Sequence, residues 1–341
     1  MTLYEKLTTG TYFIAEMSAN HAGSLENALT IVHKAKEAKA DCLKIQTYTA
    51  DTITVDCNDE PFLIKGGLWD GYKLYDLYKE AYTPWEWQPI IKEECEKIGL
   101  DFLSTPFDFS SVDFLEDMGV LFYKIASFEL VDIPLIEYTA SKGKPMIMSC
   151  GMASIEEIQD AVDACKRQNN DQVILLKCCS EYPAEYSHMN LKTITDMQKR
   201  YKIPMGLSDH SMGSTAAVVA VSLGATVIEK HICISRNIKN PDSEFSMEPH
   251  EYMQMVEDCR VAAEIRGDIS YDLTEKEKAS TIFRRSIFAV KDIKKGEAFT
   301  SDNIRSIRPA NGISPKHYKE LMEKQSKHNY KTGEPISNNE L

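Results

Sequence analysis

The chain has 341 residues, 43% apolar and 27% charged, with no low-complexity tract, which is the composition of a folded protein with room for one large domain and a small one. Its formal net charge of −13 excludes a broad nucleic-acid or anionic-membrane surface but not one locally basic pocket. No apolar run approaches membrane-spanning length and MTLYEKLTTGTYFIAEM lacks a signal-peptide core, so a cytoplasmic protein without a membrane partner is predicted. The nine cysteines form no CxxC pair, and Cys42, Cys150, Cys178 and Cys179 fall in or beside apolar runs, as reduced buried thiols would.

Short apolar, β-branched runs alternate with longer amphipathic stretches along most of the chain, the pattern of a parallel sheet covered by helices. The first predicted strands are TYFIAEMS from Thr11 and DCLKIQTY from Asp41. A long insert follows between Thr49 and Tyr82, in an aromatic tract reading GGLWDGYKLYDLYKEAYTPWEW; it is expected either as a substrate wall or lid, or as a packed surface excursion. Thr83-Pro84-Trp85-Glu86 matches a helix-capping box with proline at the first helical position. The strands DFLSTP, LFYKIAS and PMIMSCG come next, with Gly143 placed to end a helix. Ser154-Ile155-Glu156-Glu157 is a second capping box. QVILLKCC, IPMGLSDH, a helical stretch from Ser214 to Gly224 and TVIEKHI complete the series.

Eight such units in about 250 residues predict a (β/α)8 TIM barrel. A doubly wound open sheet is the alternative, weakened because no GxGxxG follows the first strand. Near Gly267 the rhythm changes to a polar stretch, DISYDLTEKEKAS, and then to short strands with glycine turns. The predicted organisation is a barrel at 1–270, a linker at 271–282 and a small β-rich domain at 283–341, too small to be robust alone and so expected to dock on something.

In parallel α/β folds chemistry sits at the C-terminal ends of strands. Those ends offer Glu16; Lys44 and Gln46, on one face by period-two alternation; Lys124, Ser127 and Glu129; and Ser149. They continue with Lys177, Ser180 and Tyr182, then Ser208 and His210, and finally Glu229 and His231. Two imidazoles ending consecutive strands suit a divalent metal completed by substrate oxygens. Lysines inside apolar strands need an anionic ligand or a carboxylate partner such as Glu16, Glu129 or Glu229. The set therefore fits a phosphate or carboxylate substrate beside a metal. A Schiff-base aldolase acting through Lys124 is the competing enzyme reading, and it leaves the histidines without a role.

IAEMSANHAGSLENAL, LKIQTYTADTIT, YKIASFEL, CCSEYPA, GLSDHSMG, VIEKHI and NPDSEFSMEP together resemble the sialic acid synthase family. The tail RRSIFAVKDIKKGEAFTSDNIRSIRPANGIS resembles that family's antifreeze-like (SAF) domain. Lysine and arginine at 291, 294, 295, 305 and 308 argue against a free ice-binding surface there. Within the family, the aromatic insert, KIASFE and LLKC resemble the pseudaminic acid branch; N-acetylneuraminate or legionaminate synthesis is the alternative.

The resemblance implies condensation of phosphoenolpyruvate with an open-chain N-acyl amino sugar, for this branch a 2,4-diacetamido-2,4,6-trideoxy-altrose, with release of phosphate. It implies that Lys44, Lys124, Ser127, Ser149 and Ser208 hold phosphoenolpyruvate, that Glu16 is the acid/base, and that Glu129, Tyr182, Asp242 and Arg308 contact the sugar. His210 and His231 would hold a divalent metal, Mn2+ ahead of Mg2+ or Co2+. Arg308 would reach the partner's site in a domain-swapped homodimer. Two departures from the family pattern are Cys150, where Ser or Thr is usual, and Asn240, where Gly is usual.

Overall fold

The computed structural model describes residues 2–341, and contacts divide the chain into two units, 1–267 and 268–341. The first unit contains eight strands: β1 Tyr12–Glu16, β2 Cys42–Thr47, β3 Asp101–Pro106, β4 Tyr123–Ile125, β5 Met146–Ser149, β6 Val173–Cys178, β7 Met205–Asp209 and β8 Val227–His231. They are parallel, in the order β3-β2-β1-β8-β7-β6-β5-β4, and β3 lies beside β4 so that the ring closes. This is the predicted barrel.

Alternation along each strand sorts side chains into two cores. Outward residues such as Phe13, Leu43, Met148 and Leu207 pack against the surrounding helices. Inward residues Ile14, Leu103, Phe122, Ile147, Leu176 and Val227 fill the barrel, joined by Leu7 from a short helix, Leu3–Thr8. One step further along each strand the inward positions turn polar. Register places Glu16 opposite both Lys44 and His231, and Ser208 opposite both Cys178 and Glu229. An apolar plug thus supports a polar layer at the C-terminal rim. Gly206 is required in that plug, because a Cβ there would lie 2.3 Å from the Val227 carbonyl oxygen.

The Ser154 capping box forms, its hydroxyl accepting from the Glu157 N–H at 3.2 Å. The one predicted at Thr83 does not. Trp85–Trp87 is a 3-10 turn, the helix starts at Gln88, and Thr83 Oγ1 is buried without a partner. The buried Gln88 amide organises this segment instead, donating to the Thr83 carbonyl at 3.3 Å and accepting from Thr47 Oγ1 at 2.8 Å.

The insert after β2 contains a helix at Leu74–Ala81 and a hairpin whose Ile64 N–H donates to the Tyr72 carbonyl at 2.8 Å. Gly66 and Gly67, with φ of +78° and +75°, let the chain turn there and bring Trp69 to the hairpin tip. In the second unit β9, Ser286–Ala289, pairs antiparallel with β10, Ile304–Ile307, over a core including Ile287, Phe299, Ile313 and Ile336. The stretch predicted as a linker carries a helix, Glu275–Ser280, opened by a Thr274/Glu277 capping box.

Candidate active site

A cavity of about 440 Å3 opens at the C-terminal ends of the strands. Glu16, Lys44, Lys124, Ser127, Glu129, Ser149, Tyr182, Ser208, His210, His231 and Asp242 all line it. Arg308 belongs to the second unit, where it is exposed just beyond β10. Lys177 is not among the lining residues: period two turns it to the outer face, its ammonium donates to the Cys178 carbonyl at 2.8 Å, and Cys178 takes the inward position. His21 and Asn20 also lie outside the cavity, in a 3-10 turn where His21 stacks edge-on to Trp87.

The floor is a buried charge cluster. Lys44 Nζ lies 3.1 Å from Glu229 Oε1 and 3.3 Å from Glu16 Oε2, and Lys124 Nζ lies 3.5 Å from Glu229. Burial opposes the Lys44 charge, but Glu16 and Glu229 more than offset it and hold its pKa above the ordinary lysine value. Lys124 goes the other way, burial drawing its pKa down against the pull of Glu229. Burial also pushes Glu16 up, while the two lysines overcome burial at Glu229 and hold it low. Of the two carboxyls, Glu16 is therefore the one whose proton is held more tightly, and Glu229 the one favoured as an anion. Sequence reasoning placed Glu229 at a strand end only as a possible neutraliser and missed its place between both lysines and the Ser208 hydroxyl, 3.1 Å away.

Several polar atoms here are buried and unpartnered: Glu129 Oε2, Ser149 Oγ, Glu229 Oε2 and His231 Nδ1. Buried polar groups are ordinarily paired, so a concentration of orphans around one cavity marks where a polar ligand belongs. Burial pushes Glu129 up to about 7. The Gly151 N–H donates to Ser127 Oγ at 3.0 Å, and a Cβ at Gly151 would stand 2.1 Å from Ser180 Oγ and 2.8 Å from Ser127 Oγ, so only glycine leaves both serines in place.

The histidine rings lie 5.5 Å apart, centroid to centroid. A carbonyl can only accept, so the 3.0 Å contact of His210 Nδ1 with the Cys179 carbonyl puts the proton on Nδ1 and leaves the Nε2 lone pair free in the neutral ring. Burial, His210 and Lys44 hold His231 well below the usual histidine range, which keeps it in the neutral, ligating form. Among the described residues no group of three His, Cys, Asp or Glu forms a metal cage. The donor set fits an ion with two protein ligands whose remaining positions are filled by substrate or water.

Tyr182 sits between the histidines and the insert, its ring centroid 4.3 Å from that of His210 and 5.4 Å from that of Trp69. Asp242 Oδ2 accepts from the Ala19 N–H at 3.0 Å, and Asn240 orders that loop by accepting the Asp242 N–H at 2.9 Å. Trp69 carried the aromatic signal in the sequence, but only the fold shows it meeting Tyr182.

This arrangement can bind a compact anion against the lysines and hydroxyls and present it to a group near the histidines. The NeuB family matches residues 31–271, and a SAF domain matches residues 284–341. The chain belongs to the NeuB family. This NeuB-family chain is 45% identical over 325 residues to the pseudaminic acid synthase of Campylobacter jejuni subsp. jejuni serotype O:2, covering 95% of each. It is 40% identical over 329 residues to that of Helicobacter pylori, covering 96% of this chain and 97% of the other. Among solved structures, the N-acetylneuraminic acid synthetase of Leptospira borgpetersenii serovar Hardjo-bovis, crystallised with citrate, superposes with a TM-score of 0.72 at 32% identity, covering 80% of this chain and 90% of that one.

Proposed function

We propose that this NeuB-family chain condenses phosphoenolpyruvate with the open-chain aldehyde of 2,4-diacetamido-2,4,6-trideoxy-β-L-altropyranose, releasing phosphate and giving pseudaminic acid. One observation carries the reading: a single cavity in which two lysines and a row of hydroxyls face two histidines, with an apolar insert along its wall. The likeness to pseudaminic acid synthases supports the choice of sugar.

Lys44, Lys124, Ser127, Ser149 and Ser208 hold the phosphate and carboxylate of phosphoenolpyruvate. Glu129, Tyr182 and Asp242 orient the sugar so that its C1 faces C3 of phosphoenolpyruvate. A divalent ion on His210 and His231, manganese before magnesium or cobalt, supplies Lewis-acid polarisation of the aldehyde when bound. The C3–C1 bond forms and the aldehyde oxygen takes a proton. Water then adds at C2, the bond from C2 to the phosphate oxygen breaks, and a ketone remains. Glu16, its proton affinity raised by burial, moves the proton at the aldehyde oxygen or the attacking water.

The reading includes a homodimer with exchanged C-terminal domains, in which the partner's Arg308 binds the sugar's acyl group. It also includes a cytoplasmic location; no helix among the described residues is long and apolar enough to cross a membrane. The test is phosphate release from phosphoenolpyruvate by metal-free enzyme, with and without added Mn2+, offered the altrose sugar or N-acetylmannosamine. Release only with metal and the altrose sugar is expected. Release with N-acetylmannosamine instead would move the reading to N-acetylneuraminate synthesis.

A further inference from the structure

The cavity has two chemically different sides. Its floor is the lysine, carboxylate and histidine cluster, whereas Ile53, Ile64, Trp69, Leu74 and Leu77 of the insert form an apolar wall in which the Tyr78 phenol is the one polar side chain besides the Trp69 indole. Trp69 has no donor to spare, because its indole N–H is already committed to the Pro241 carbonyl at 3.1 Å. That bond ties the hairpin tip to the loop carrying Asp242. A hydroxyl brought against Ile64 and the Trp69 ring would exchange water for an apolar surface and lose a hydrogen bond.

Bond formation places the sugar's aldehyde carbon at the histidines. Tyr182 links His210 to Trp69 by successive ring contacts, with centroid steps of 4.3 Å and 5.4 Å, so a sugar chain leading away from the reacting carbon can follow this row toward the insert. The far end of the sugar then meets the insert. We propose that the insert, through Trp69 and Ile64, is the specificity element that selects a methyl group over a hydroxymethyl group at the sugar carbon most remote from the aldehyde. This rests on the synthase reading above and adds the residues that read the 6-deoxy position. An apolar pocket rejects a substrate that merely gains a hydroxyl by at most roughly 100-fold, which bounds the effect.

The experiment compares kcat/KM for the 6-deoxy altrose sugar with that for its 6-hydroxy counterpart, in full-length wild-type enzyme, Trp69→Ala, Ile64→Asn and Trp69→Phe. Both positions are half-buried on a hairpin, so the variants should fold. The wild type should prefer the 6-deoxy sugar by about 10- to 100-fold. Trp69→Ala and Ile64→Asn should each lower that ratio about fivefold or more, leave KM for phosphoenolpyruvate within about twofold, and Trp69→Phe should restore the preference. A wild-type ratio near one, or equal losses on both sugars in both variants, overturns the proposal while the synthase reading stands. Phosphate release with neither sugar overturns both.

Discussion

Asp209 and Lys230 form an ion pair of 2.7 Å on the outer face of the barrel, each directly preceding one of the two active-site histidines in sequence. The Lys230 ammonium also donates to the Ser211 carbonyl at 2.6 Å, and Asp209 accepts from the Ser211 N–H at 2.8 Å, so His210 lies in a loop pinned on both sides. Both partners are buried. Removing one leaves the other charge uncompensated. Lys230→Met should lower stability by about 3–5 kcal/mol, and Lys230→Met combined with Asp209→Leu should recover part of the loss. Urea denaturation of the single and double variants checks this.

His210→Ala and His231→Ala should each lose bound Mn2+ and most of kcat, since a two-histidine set has no spare protein ligand. Metal content after dialysis is the measurement. Unchanged content in both variants would remove the proposed site.

Burial raises the Glu129 pKa from an ordinary 4.5 to about 7, so the folded ligand-free protein disfavours its ionised form. That favourable protonated state is fully present below pH 4.5 and its contribution is lost as pH rises through about 7. Glu129→Gln should therefore raise the melting temperature at pH 8, reflecting at most about 3 kcal/mol, and leave it unchanged at pH 4. Melting curves at the two pH values decide it.

Gly151→Ala puts a methyl group where Ser127 and Ser180 now stand. The expected result is a KM for phosphoenolpyruvate raised about tenfold, about one lost hydrogen bond, with little change in KM for the sugar. Steady-state kinetics in each substrate separate the two.

Arg308→Ala should mainly raise KM for the sugar and leave kcat close to wild type, because the contact proposed for it is to a substituent and not to the reacting carbons. Sedimentation alongside activity tests the proposed dimer; full activity as a monomer at micromolar concentration would sink the exchanged-domain arrangement.

The barrel was legible because its signals are local. Period-two alternation assigns Glu16, Lys44, Gln46, Ser208 and Glu229 to inward positions from sequence alone. The same rule turns Lys177 outward in favour of Cys178. Thr83 failed as a cap because capping boxes are judged on the spacing of a few neighbours, and Gln88 competed for that backbone through Thr47, a contact across 41 residues.

By itself the sequence determined the strands, their inward faces, the paired histidines and the change of rhythm after Gly267. Each depends on residues a few positions apart. Tertiary structure alone decided that Glu229 bridges to Lys44 across 185 residues, that Trp69 caps Tyr182 and bonds Pro241 across 172, and that Gly151 shares its space with two serines. Contacts of that separation are set by how eight strands close into a ring, and no local periodicity encodes which rim residues then meet.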